Sequence, residues 1–175
     1  MGRWGHRMFE GDYDLDLKGD VVHAIENKLK AKSIAFEEGH LEELMERMCR
    51  MNKQLSEPSQ KLRDHVNTIS DELFEDSRQN RHPLLAGDEY PTVILGAVMM
   101  EAGLRISPEN MTYLRQAVDK VSSANGYRLP ICDLGFRDPG KAQFLAALGH
   151  YRDGEPRDFY GPRHVIASLL MSDKS

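Results

Sequence analysis

Apolar side chains recur along this chain every three or four residues rather than every two, the spacing of one buried face of an α-helix. Leu15, Val21, Val22, Ile25 and Leu29 form the first such stripe and predict a helix from about Asp14 toward Lys32, weakened slightly by Gly19. In HLEELMERMCRMNKQL, Leu41, Leu44, Met45, Met48 and Leu55 share one side, while Glu42, Glu43, Glu46, Arg47 and Arg50 lie elsewhere. That is the pattern of an amphipathic helix. A third helix opens with Ser56 as cap and Pro58 in its first turn, then steps through Leu62, Val66, Ile69 and Leu73 until His82-Pro83 ends it.

The run EYPTVILGAVMMEAGL is rich in β-branched residues, and its apolar stretch alone does not separate a buried strand from a buried helix. Its length, the proline at residue 91 and the stop offered by Gly103 favour a central helix. Next comes the clearest helix, with Ser107 as cap, Pro108 at the first helical position, and Met111, Leu114, Val118 and Val121 on one face. ANGYRLPICDLGFRDPG reads as an extended loop. Asp138 and Pro139 then start a helix that turns Phe144, Leu145 and Leu148 inward, and RHVIASLLM follows a last connection. No series of short alternating strands joined by hairpin dipeptides interrupts this order. The expected fold is all-α: one compact domain over residues 1–175, a bundle of six or seven helices with an ordered, anchored amino terminus.

Composition narrows the function more than it identifies one. Hydrophobic residues at 40% and charged residues at 29% are ordinary for a globular core, so disorder is not expected. A formal net charge of -5 gives the whole chain no electrostatic reason to seek nucleic acid or anionic lipid, and no segment has the apolar length of a membrane span. The opening MGRWGHRMFEGD has no apolar signal core, which makes cytosol or nucleus, not secretion, the expected location. Cys49 and Cys132 lack the spacing of a zinc site, and none of the seven histidines is paired for a zinc helix.

Two stretches carry candidate chemistry. In FEGDYDLDLKGD, aspartates 12, 14 and 16 alternate like the start of a calcium loop, but Leu17 and His23 stand where that loop needs glycine and glutamate. The favoured reading is a helix start, with Asp12 or Asp14 capping and the other acids in the first turn. No metal site is favoured; the alternative is a divalent cation held by Glu10, Asp12, Asp14 and Asp16. Trp4 and Phe9 would pin the terminus onto the core. The second stretch, CDLGFRDPGKAQFLAALGHYRDGEPRDF, gathers Asp133, Arg137, Lys141, Gln143, His150 and Tyr151. Lys141 and Gln143 lie in the first turns of a helix, where backbone N–H groups can receive an anion, and His150 suits either a general base or the cation at a helix C-terminus.

MGRWGHRMFEGDYDLDL, ILGAVMMEAGLRISPENMTYLRQ and GYRLPICDLGFRDPGKAQFLAALGHYRDGEPRDF together resemble a family of uncharacterised fungal proteins that open with M-G-x-W-G and continue to F-E-G-D and D-L-D. A shorter bacterial group begins similarly. The resemblance spans both ends and the centre of the chain, and residues 32 to 85 carry little of it. Some longer fungal members carry a MYND-type zinc finger used for protein contacts, whose cysteines this chain does not have. What the resemblance implies is weight on Trp4, Asp14, Asp16, Asp133, Arg137, Lys141, Gln143, His150 and Tyr151.

Two functional classes follow. The first is a helical binding or scaffolding module whose partner is an unidentified protein or small molecule. The second is a small enzyme, as in secondary metabolism, in which Asp14 or Asp16 orients His150, Tyr151 completes an acid/base pocket, and Trp4, Asp133, Arg137, Lys141 and Gln143 hold the ligand.

Overall fold

The computed structural model describes residues 8–9, 12–36, 44, 60–81, 89–121, 140–157 and 159. Every regular element among them is an α-helix: α1 (Asp12–Ala31), α2 (Gln60–Asn67), α3 (Ser70–Arg78), α4 (Tyr90–Glu101), α5 (Pro108–Lys120) and α6 (Gly140–His150). This is the all-α bundle that the hydrophobic spacing predicts. The expected helix over 41–55 lies outside the described residues apart from Leu44, which is helical and buried, and the 122–139 loop and the 160–175 segment lie outside them too.

The organising element is α4, every residue of which is buried. It packs against α1, α5 and α6, while α2 joins α1 to α3 and α5 meets α6. A segment with apolar side chains all round is stable as a helix only when neighbours cover all of its faces, and this arrangement supplies them. Gly96 makes the closest approach: a Cβ there would stand 2.5 Å from Leu114 Cδ2 of α5 and 3.2 Å from Phe144 Cζ of α6. The core cluster runs from Met8 and Phe9 through all six helices to Phe159.

Helix α4 stops where expected. Gly103 takes a φ of 67°, its N–H donates to the Met100 carbonyl at 3.1 Å, and the Leu104 N–H reaches back to the Met99 carbonyl at 2.9 Å. This pair of bonds satisfies carbonyls that the helix end would otherwise leave unmatched. Over the turn lies the loop 151–157, in which Gly154 N–H donates to the Gly103 carbonyl and Arg157 N–H to the Met100 carbonyl. Pro156 comes within 3.1 Å of where a Gly103 Cβ would be. Gly103→Ala therefore meets both left-handed strain and a crowded neighbour. It is expected to lower stability by about 1–3 kcal/mol in urea unfolding.

At α5, Ser107 accepts the Asn110 N–H through its side chain and Pro108 occupies the first turn, as predicted. One difference concerns the stretch after Ser56. Leu62, Val66, Ile69 and Leu73 are all fully buried, as their spacing requires, but the first two lie on α2, Leu73 lies on α3 and Ile69 sits in the turn between. At the break the Thr68 hydroxyl and Thr68 N–H both donate to the His65 carbonyl, and Ile69 N–H donates to Val66, which tightens the turn. From 38 residues away, the Arg105 N–H donates to Asn67 Oδ1 at 2.7 Å and fixes the corner. Asp138 and Pro139, expected to open α6, lie outside the described residues.

Candidate functional site

The opening aspartates separate into different environments. Asp14, at the third position of α1, is fully buried, and its Oδ2 accepts the Phe9 N–H at 2.9 Å. The donor stands three residues ahead of the helix, so this bond pins Phe9 against the start of α1. Its Oδ1 accepts the Tyr90 hydroxyl at 2.6 Å, which ties α1 to the start of α4. Asp16, two residues on, is exposed. The side chains of Glu10 and Asp12 lie outside the described residues. Among those that are described, no three His, Cys, Asp or Glu side chains converge as metal ligands would.

One turn after Asp14, Lys18 occupies a position on the same face of α1 and is fully buried. Its ammonium donates to Glu101 Oε2 at 2.5 Å and lies 4.9 Å from the centre of the Phe9 ring. Glu101, at the end of α4, is 2% exposed, so this ion pair is inside the protein. Neither residue was singled out from the sequence. The signal was available, because Asp14, Lys18, Val21, Ile25 and Leu29 continue one helical stripe, and Glu101 closes an otherwise apolar helix seven residues after Ile94.

The second stretch divides as well. Gln143 links the two ends of the chain: its Oε1 accepts the Met8 N–H at 3.1 Å and its Nε2 donates to the Phe159 carbonyl. The Phe159 ring meets Phe9 edge to face at 6.0 Å and stacks on Phe144 at 6.4 Å. Lys141 donates to Asp119 at 2.8 Å and joins α6 to α5. His150 is exposed at the last residue of α6, where its carbonyl accepts from Arg157. Tyr151 is buried and its hydroxyl donates to the Leu104 carbonyl. Burial first, and the Asp153 charge second, push its phenol above the ordinary range. Trp4, Asp133 and Arg137 lie outside the described residues. Thus the structure brings the amino-terminal segment and α6 together through Met8, Phe9 and Gln143, while the described hydrogen bonds of Asp14 run to Phe9 and Tyr90, and His150 faces solvent.

An open groove of about 610 Å³ lies between α3 and the start of α5, lined by Asp71, Glu72, Glu75 and Arg78 on one side and Ser107 to Asn110 on the other. Its floor is braced. Asn110, 2% exposed, donates to Asp71 Oδ1 at 2.9 Å and accepts from Arg78. The Arg78 guanidinium rests 4.7 Å from the centre of the Tyr113 ring and donates to Glu75 at 3.2 Å. Arg105 holds the other Asp71 oxygen at 3.0 Å. Glu109, 83% exposed, stands at the rim 3.6 Å from Arg78. Sequence reading missed this groove because its walls come from ordinary solvated faces of two helices.

No protein-family model, curated protein or solved structure matches the chain. No helix among the described residues is long and apolar enough to cross a membrane.

Proposed function

We propose that this protein is a helical binding module whose contact surface includes the groove between α3 and α5. The carrying observation is the groove itself: a concavity of about 610 Å³ whose floor side chains are already braced by one another. Side chains fixed before a partner arrives lose little freedom on binding. Four carboxylates line it; Arg105 holds Asp71 and Lys32 holds Glu72, and the exposed Glu75 and Glu109 beside Arg78 are the acids most open to a Lys- or Arg-bearing segment of a protein partner. In contrast, the buried groups that acid/base chemistry could use are engaged inside the fold, Asp14 with Tyr90, Lys18 with Glu101 and Tyr151 with a backbone carbonyl, while His150 stands exposed at the end of α6. Of the described methionines, 8, 99 and 100 are fully buried and Met111 is half-buried against the same cluster, which gives them to the core rather than to an adaptable surface.

Selection of peptides from a random display library tests this reading, run on the native chain and on the Glu75→Lys, Glu109→Lys double variant. Both positions are exposed enough for the fold to survive the change. The native chain is expected to enrich basic peptides whose binding weakens with salt, and the variant to lose them. Enrichment of no sequence by the native chain, or of the same sequences by both, would sink the proposal.

A further inference from the structure

Phe9 is bulky and almost fully buried, yet its backbone takes a φ of 61°, a left-handed conformation that such side chains rarely adopt. Three contacts, two from α1 and one from Phe159, hold it there. Its N–H donates to Asp14 Oδ2, its ring lies against the Lys18 ammonium, and its edge-to-face partner is Phe159. The preceding Met8 is tied to Gln143 of α6. Beside this strained segment lie two buried polar pairs, Lys18 with Glu101 and Asp14 with Tyr90.

Two effects make lifting Phe9 away less costly than exposing the same apolar area elsewhere. The backbone strain relaxes, and the ammonium and carboxylates regain hydration that burial had removed. Met8 and Phe9 also precede α1, so their departure leaves the hydrogen-bond ladder of that helix in place. We propose that Met8–Phe9 is a latch: it opens within the native protein, ahead of global unfolding, and uncovers a polar cluster of one amine, one phenol and two carboxylates contributed by α1 and α4. Release of the latch is then a conformational step separate from unfolding of the bundle.

Acylation of Lys18 by an amine-reactive acetyl ester tests the latch. Modification is followed by peptide mass spectrometry across sub-denaturing urea, with amide exchange in α4 marking global unfolding and an unstructured Lys18 peptide giving the intrinsic rate. The native chain is expected to label at Lys18 about 100-fold or more faster than global unfolding allows, with little dependence on urea. Phe9→Gly, which accepts the positive φ and removes the ring, is expected to speed labelling about tenfold further. Labelling that tracks α4 exchange, with the full urea dependence of unfolding, overturns the latch. So does fast labelling that a folded Phe9→Gly variant leaves unchanged. If that variant does not fold, the urea dependence in the native chain decides alone.

Discussion

Replacing Lys18 by Met, or Glu101 by Leu, is expected to lower the unfolding free energy by about 3–5 kcal/mol, while the two changes together cost much less than their sum. The asymmetry follows from burial. Lys18 is fully buried and Glu101 is 2% exposed, so each single substitution takes this ion pair away from a charge that stays inside the fold. The double variant removes both charges and fills the space with apolar side chains of similar length. Urea unfolding of the two single variants and the double variant completes the cycle. Additive losses would mean that each residue acts through other neighbours and that the pair is not an energetic unit.

The next largest effect is expected at Asp14. Asp14→Ala removes the acceptor of the Tyr90 hydroxyl and of the Phe9 N–H at once, and both donors belong to buried residues. At about 1–3 kcal/mol for each buried donor deprived of its acceptor, a loss of about 2–5 kcal/mol is expected. Asp14→Asn keeps one carbonyl oxygen and should fall between Ala and the native residue. Tyr90→Phe provides the control, because in that background Asp14→Ala should lose less. Melting curves of the four proteins measure the coupling, and equal losses from Asp14→Ala in both backgrounds would count against the bond as a stabilising contact. A cation-binding role for the opening aspartates predicts a different outcome: the native chain would melt higher with added divalent ions, and Asp14→Asn would abolish that rise.

Much of the helical framework was legible because it rests on local rules. Spacings of three and four residues placed α1, α5 and the inward face of α6, where Phe144 and Leu148 are buried. Gly103 and Ser107-Pro108 set the boundary between α4 and α5 through backbone geometry and a capping bond that any sequence with those residues can make. Asp12 and Asp14 do lie in the first turn of α1, as expected, and the bond from the Phe9 N–H to Asp14 joins residues only five apart.

The candidate sites were less legible, because residue type alone does not say what a side chain faces. Asp14 and Asp16 look equivalent in sequence, but two positions on a helix are about 200° apart, so one enters the core and the other meets water. Similarly, His150 and Tyr151 are neighbours, yet the tyrosine turns in to the Leu104 carbonyl and the histidine stays outside. The split between α2 and α3 was hidden by an unbroken apolar spacing, and part of what fixes it is a bond from Arg105.

By itself, then, the sequence determined the helical class, the inward faces and most described helix ends, because turns, caps and amphipathic stripes are made by residues a few positions apart. Tertiary structure decided which charged groups are buried and what they meet. Lys18 finds Glu101 across 83 positions, Tyr90 finds Asp14 across 76, and Gln143 joins Met8 across 135. Such pairings depend on how α1, α4 and α6 cross, and crossing is set by side-chain shape, as where Gly96 lets Leu114 and Phe144 approach. The braced groove has the same origin: α3 and α5 each present an ordinary polar face, and only their packing makes those faces the two walls of one concavity.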